Sequence, residues 1–149
     1  MQLDKDLCMK FPAVLRDKLL NGELELPDAA MVDYERIRTY RAVGRKIDDY
    51  HKITIEDFRS YFELGKKPKK IPRGMNTDFT KDPQYYGVSS FMEKEIVELI
   101  MKFPNPKKKM AQGYVYKEGG PQYTNVDKLH VCWWLYEGAD VSGFELVEE

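Results

Sequence analysis

The sequence predicts an α+β fold, with about three helices packed on one face of a mostly antiparallel sheet of four to five strands. Three observations predict it. Apolar residues recur at helical spacing in three segments, alternating strand patterns crowd the C-terminal third, and glycine-containing turns separate those late strands. The length of 149 residues suits a single globular domain spanning 1–149.

The first two helices are predicted by apolar spacing together with residues that begin or end a helix. Over residues 11–20 the apolar side chains share one face, and Gly22 follows where a helix commonly stops. A second helix is predicted from Thr54, which forms a capping-box pattern with Asp57, to Gly65. Both helices should therefore present an apolar face to the sheet.

An early strand is predicted over residues 33–44, where side chains alternate between two faces. Alternation places Arg41 on the same face as Ile37 and Val43. A guanidinium on a partly buried face requires a carboxylate, carbonyl groups or an anionic ligand. Arg41 is therefore expected either to pair with a carboxylate of a neighbouring strand or to bind an anion.

A long polar loop is predicted at about 65–84, followed by a third helix. The loop contains three prolines and a lysine-rich run, and its length is typical of a functional or mobile connection. The third helix is predicted over 91–103, because Ser90 and Glu93 form a capping-box pattern. The apolar stripe of this helix comprises Met92, Ile96, Leu99, Ile100 and Phe103.

Three further strands are predicted, over 110–117, 129–136 and 143–147, and the middle one is unusual. One of its faces carries Leu129, Val131, Trp133 and Leu135, and the other carries His130, Cys132, Trp134 and Tyr136. A strand with one face in water alternates apolar with polar residues. This strand is therefore either central and covered on both faces, or its second face lines a groove or a partner surface. The predicted core comprises Leu15, Leu19, Ile37, Phe58, Phe62, Ile96, Leu99, Ile100, Val131, Trp133 and Leu135.

Composition limits the function classes. The formal net charge is −1, whereas general nucleic-acid coat proteins are strongly basic. The sequence shows neither a secretion signal nor a run of about 20 apolar residues, so no membrane association and a cytoplasmic location are expected. Cys8 and Cys132 are expected to be reduced thiols. No metal and no cofactor is predicted, since the usual ligand spacings and nucleotide-binding motifs do not occur.

The leading functional hypothesis is a small accessory protein that binds a partner without catalysis. The partner, another protein or a second copy of the chain, would meet the aromatic strand face and the 65–84 loop. The residues predicted to bind it are His130, Trp134, Tyr136 and Arg41. Exposure of Trp134 and Tyr136 is what this hypothesis requires.

A second hypothesis rests on a resemblance. Thr39-Tyr40-Arg41 lies on an early strand, Gly87-Val88-Ser89-Ser90-Phe91 leads into a helix, and late glutamates follow at Glu137, Glu145 and Glu148. This order is similar to the layout of ADP-ribosyltransferase domains. The resemblance implies that Arg41 and Ser89 or Ser90 help to hold NAD and that a late glutamate, with Glu137 as the candidate, orients the ribose. None of these glutamates stands in the Glu-x-Glu or Gln-x-Glu setting of that family.

A third hypothesis is nucleic-acid binding through two lysine-rich loops. The first loop carries Lys66, Lys67, Lys69 and Lys70, and the second carries Lys107, Lys108 and Lys109. If the two loops converge, phosphates could lie across them while bases stack on nearby tyrosines. The alternative interpretation of such runs is a solvated loop.

Overall fold

The computed structural model describes residues 3–66, 79–102 and 107–147. Its α-helices are α1 (Lys5–Cys8), α2 (Ala13–Leu20), α3 (Tyr61–Leu64) and α4 (Lys94–Met101). Its strands are β1 (Ile37–Gly44), β2 (Val88–Phe91), β3 (Lys108–Val115), β4 (Gln122–Asn125), β5 (His130–Trp133) and β6 (Glu145–Leu146). Short 3₁₀ helices span Ile55–Asp57, Phe79–Lys81, Pro83–Tyr86 and Lys117–Gly119. The α+β class is confirmed.

The strands form one six-stranded sheet in the order β4-β5-β2-β1-β3-β6, and every registered neighbour pair is antiparallel. The predicted strand number of four to five was too low, because neither β2 nor β4 was recognised. Ser90 lies within β2 and pairs with Val131 instead of capping a helix. Helix α4 begins only at Lys94, and Glu93 precedes it without a side-chain capping bond.

The ladder between β1 and β2 is nearly absent. β1 pairs with β3 along its whole length, but it is registered with β2 only at Tyr40 and Phe91. Beyond that pair the Arg41 guanidinium lies between the strands and donates to the Ser89 carbonyl. The buried hydroxyl of Ser90 has no hydrogen-bond partner among the described residues. Between β1 and β2, the Arg41 side chain therefore supplies a hydrogen bond beyond the point where the backbone ladder ends.

One face of the sheet is covered by irregular segments. The core on this face contains Val43, Val88, Val131 and Trp133 of the strands together with Phe58, Val141 and Phe144 of the covering segments. The Phe58 ring meets the rings of Trp133 and Phe144 at centroid distances of 6.1 and 4.7 Å. The segment around the second predicted helix and the C-terminal segment therefore close this side.

The opposite face carries helices. Helix α4 places Val97 and Met101 against Met110, Tyr40 and Phe91. The N-terminal segment, residues 3–30 with α1 and α2, covers the β5 end of the same face. That second core contains Phe11, Leu15, Leu24, Leu26, Ala30, Tyr86, Cys132, Trp134 and Tyr136. Of the three predicted helices, those corresponding to α2 and α4 lie on this face. The predicted helix from Thr54 to Gly65 is instead a 3₁₀ turn followed by the single turn α3, and its Phe58 packs on the opposite face.

The predicted inward stripe of the third helix was wrong at three positions. Leu99 is 79% exposed, Ile100 is 55% exposed, and Met92, which precedes α4, is 38% exposed, while Val97 and Met101 are buried. Apolar residues surround most of this short helix, so spacing alone could not determine which side meets the sheet. Phe103, the last residue of the predicted stripe, lies outside the described residues.

A buried ion pair fixes the segment that follows β1. Arg45 is only 6% exposed and binds both carboxylate oxygens of Asp57, at 2.6 and 2.7 Å. Asp57 also accepts from the Thr54 amide and so completes the capping box predicted from the sequence. Burial disfavours the charged Asp57, but hydrogen bonds from Arg45 and Thr54 outweigh it, so the pKa of Asp57 lies below its ordinary value.

Substitution of Asp57 is predicted to leave Arg45 as a buried charge without its counterion. We expect Asp57→Asn to lower the free energy of unfolding by about 3 kcal/mol at pH 7, measured by urea denaturation. Because the folded-state pKa is depressed, this stabilisation is present above about pH 4 and is lost as the pH falls through the folded value. The difference between the two proteins should therefore shrink in acid.

The matched control is Asp49→Asn, which removes a partly exposed carboxylate that bonds His51. Its cost should stay below about 0.5 kcal/mol. An Asp57→Asn variant as stable as the control at pH 7 would contradict the structural role of the pair.

Candidate functional site

A cleft of about 530 Å³ opens between α2, the 55–63 segment and the turn that follows β5. Its volume falls within the range of small-ligand pockets. Phe58, Val88 and Leu135 on its wall belong to the first core, whereas Leu15 and Tyr136 belong to the second. The cleft therefore marks the place where the two covering layers of the sheet meet without fusing.

The walls of the cleft are mainly apolar and are held by packing beneath them. Phe62 contacts Tyr86 with ring centroids 5.1 Å apart, and Phe11 contacts Tyr136 at 5.0 Å. The backbone N–H of Glu137 donates to the Lys10 carbonyl at 2.7 Å, which ties the turn after β5 to the N-terminal segment. These contacts give the cleft a shape that does not depend on a ligand.

The polar rim of the cleft is net negative. Arg59 is its only cation among the described lining residues, and it is bound by Glu56 at 2.7 Å and by Glu63 at 2.8 Å. The hydrogen bonds that Arg59 donates to these two glutamates raise the pKa of Arg59 above its ordinary value. Glu137 adds an exposed carboxylate across the cleft. A cation would therefore be favoured at this rim over an anion.

The aromatic face of β5 is covered by the chain itself. Trp134 is 0% exposed and its indole N–H donates to the Pro83 carbonyl at 2.8 Å. Cys132 is buried beside it, and burial raises the pKa of its thiol. Tyr136 is 9% exposed and reaches only the cleft wall. The predicted partner surface over Trp134 is thus corrected, because the N-terminal segment lies on it.

Arg41 is held inside the fold. The Arg41 guanidinium packs on the Phe58 ring, with the central guanidinium carbon 5.1 Å from the ring centroid. The Nε of Arg41 has no hydrogen-bond partner among the described residues. Burial lowers the pKa of Arg41 to about 10, and the charge of Asp57 opposes part of that shift. Among the described residues, the group that accepts a hydrogen bond from Arg41 is the backbone carbonyl of Ser89.

Ser89 and His130 come together although the sequence placed them in different hypotheses. The Ser89 hydroxyl and His130 Nε2 are 2.9 Å apart on the face of the sheet that carries the helices. They lie on neighbouring strands in which Ser89 pairs with Cys132 and Phe91 pairs with His130. Their contact is therefore a diagonal cross-strand pair.

The three residues implied by the transferase resemblance converge only in part. Arg41 and Ser89 meet through the guanidinium and a backbone carbonyl, but alternation puts their side chains on opposite faces. Glu137 lines the cleft, and Glu145 bonds Gln112 at the β6 edge. Glu148 lies outside the described residues. Among the described residues, the Ser89 hydroxyl is hydrogen-bonded to His130 and not to Arg41, Glu137 or Glu145.

The lysine-rich loops can be placed only in part. Lys66 is exposed, while Lys67, Lys69 and Lys70 lie outside the described residues. In the second run Lys108 is exposed at the start of β3, and Lys107 lines a shallow depression with Arg45 and Lys46. Lys109 donates to the Ile47 carbonyl at 3.0 Å and lies 4.0 Å from the Tyr50 ring centroid. That lysine therefore holds the 45–50 loop.

Sequence reasoning missed most of the cleft. Phe58 was predicted only as core, and Arg59, Ser60 and Leu135 were not considered as binding residues. The signal that could have indicated a second role was the predicted helix after Thr54, whose apolar face is broader than one packing surface requires. The cleft forms because this segment faces α2 across a gap. That arrangement depends on tertiary packing and cannot be predicted from local spacing.

No family model matches this chain, and no curated protein or solved structure matches it significantly. In the described ranges there is no cluster of three or more histidine, cysteine or acidic side chains suited to a metal ion. No helix within those ranges is long and apolar enough to cross a membrane.

Proposed function

We propose that this chain is a binding module that takes an apolar side chain of a protein partner into the cleft between α2 and the 55–63 segment. The observation that supports it most is the preformed cleft of about 530 Å³ itself, lined by rings and aliphatic side chains. The proposed function is still the binding of a partner, as expected from the sequence. The proposed binding surface is the cleft beyond the end of β5 and not the face that carries Trp134.

The chemistry of the walls indicates what the cleft would accept. Phe58, Phe62 and Leu135 offer apolar contact along the wall of the cleft. Aromatic and aliphatic anchors that enter such pockets supply most of the affinity of many protein interfaces. A leucine or phenylalanine of the partner is the occupant that this lining favours.

The rim selects among partners that carry such an anchor. Glu63 and Glu137 flank the entrance, and Arg59 is already paired with two glutamates. Electrostatic complementarity of this kind contributes to association rate and specificity. A basic residue next to the apolar anchor would therefore be preferred over an acidic one.

Free buried thiols support the expected compartment. Cys8 and Cys132 are both unbridged and buried, and Cys132 belongs to the second core. Because reduced cysteines are typical of reducing compartments, we propose a cytoplasmic location for the module.

The cleft can be tested with a capped tetrapeptide, Lys-Leu-Phe-Lys, titrated into ¹⁵N-labelled protein. We expect amide shifts in residues 13–15 and 135–139, and weaker binding by the capped peptide Glu-Leu-Phe-Glu. Ala13→Trp places a large ring in the cleft from the exposed start of α2 and should weaken binding at least about tenfold. Ala29→Trp, on an exposed turn outside the cleft, is the matched control and should bind normally.

Glu137→Gln separates the two parts of the proposal. It should reduce the preference for the basic peptide while leaving the location of the shifts unchanged. Shifts that avoid the cleft, or equal binding by wild type and Ala13→Trp, would contradict the proposed function.

A second candidate function, an NAD- or nucleotide-binding transferase, is favoured by one observation. Arg41 donates to the Ser89 carbonyl where the β1–β2 ladder stops, so two residues that the resemblance to ADP-ribosyltransferase domains implies for NAD are neighbours, although their side chains lie on opposite faces. Titration with NAD should then shift the amides of residues 88–91 and 130–131, and Ala13→Trp should leave those shifts unchanged. Saturating NAD without any shift near Ser89 would end this candidate.

A further inference from the structure

The Ser89–His130 pair lies outside the cleft and has no part in the proposed binding function. The two residues are 41 positions apart in the sequence, and the antiparallel register of β2 and β5 brings them together. Their oxygen–nitrogen distance of 2.9 Å is within the range in which a histidine removes a proton from a hydroxyl. Serine next to a histidine base is the usual arrangement of an activated hydroxyl nucleophile.

The charge state of the histidine suits a base. Partial burial, together with the positive charge of Lys128, lowers the pKa of His130 below its ordinary value. The ring is therefore mainly neutral at pH 7. In the tautomer that carries its proton on Nδ1, Nε2 accepts from the Ser89 hydroxyl.

Neighbouring groups hold the imidazole in place. The Phe91 ring packs edge-on against His130, with centroids 5.1 Å apart and planes at 61°. Leu129, directly before it, adopts a left-handed backbone with φ of 53°, and its carbonyl accepts from the Met92 amide at 2.8 Å. A non-glycine residue in that conformation is uncommon, and such residues occur frequently at functional sites. Phe91 and Leu129 are positioning residues for the base.

The hydroxyl is accessible. Ser89 is exposed although both of its flanking positions are covered. Helix α4 packs on Phe91 at one side, and the N-terminal segment packs on Cys132, the registered partner of Ser89, at the other. The pair thus lies on an open strip between the two helical covers, where an electrophile can approach.

We propose that Ser89 is a nucleophile activated by His130 and that it reacts with activated acyl and phosphoryl esters. Ser89 Oγ forms a bond to the carbonyl carbon or phosphorus, the bond to the leaving group breaks, and His130 Nε2 takes the hydroxyl proton. The leaving group departs with the electron pair of the broken bond and receives that proton from His130 or from solvent. No carboxylate is bonded to His130 among the described residues, so the pair acts as a dyad. Hydrolysis of the Ser89 ester by water, which restores the hydroxyl and releases the acid, is therefore slow.

The test is covalent labelling with an alkyl fluorophosphonate, followed by intact mass and peptide mapping. Attack by Ser89 releases fluoride and leaves one phosphonyl group per chain. We expect a single adduct on Ser89 and none in Ser89→Ala. His130→Gln keeps a hydrogen-bonding side chain but removes the base, and it should slow labelling about a hundredfold.

Ser142→Ala is the matched control, because Ser142 is an exposed serine whose amide bonds Asp140. It should label at the wild-type rate. Far-ultraviolet circular dichroism and the thermal midpoint of each variant show whether folding is intact. Labelling of another residue, no adduct, or an unchanged rate in folded His130→Gln would each overturn the proposal. None of these outcomes depends on the cleft.

Discussion

The structure depends on burying a strand that is apolar on both faces. Trp133 and Trp134 are consecutive and point to opposite sides of the sheet, yet they are 1% and 0% exposed. Each tryptophan removes roughly 200 Å² from water, which makes such a pair a large part of the hydrophobic stabilisation of a small domain. One covering layer cannot bury both. The chain therefore needs two, one on each face.

The two covers come from distant parts of the chain, and this explains the site. Phe58 and Phe144 close the Trp133 side, while Phe11 and Leu26 close the Trp134 side. β5 ends at Trp133, and beyond it the two covers approach each other without merging. The cleft is the space left between these two covers. The open strip at Ser89 is a second gap, between α4 and the N-terminal segment.

Sequence patterns predicted the elements whose side-chain period was clear. β1, β3 and β5 alternate strongly, and the two-faced character of β5 correctly allowed for a central strand covered on both sides. β2 was missed because Ser90 and Glu93 match a capping box, while the four residues Val88–Phe91 are too few to display a period of their own. The orientation of α4 was missed because the inward residues, Val97 and Met101, lay beside an equally apolar stripe.

The candidate site was less predictable for a physical reason. Its parts are joined by long-range contacts, such as the Glu137 amide to the Lys10 carbonyl and Ser89 to His130, which no local pattern encodes. Tyr136 and Glu137 were named from the sequence and do line the cleft, but Phe58 and Arg59 were brought there by tertiary packing. Arg41 was correctly singled out as an unusual cation, and its partner is a carbonyl exposed by the missing β1–β2 ladder.

Acrylamide quenching of tryptophan fluorescence tests the two-sided burial most directly, since Trp133 and Trp134 are the two tryptophans of the chain. Burial by the chain's own segments predicts blue-shifted native emission that acrylamide hardly quenches, with strong quenching only after unfolding in urea. Trp134→Phe and Trp133→Phe, compared as matched variants, should each leave a protected signal. Native emission that acrylamide quenches strongly, and that loses its quenchable part in Trp134→Phe, would contradict the coverage of this strand by the N-terminal segment.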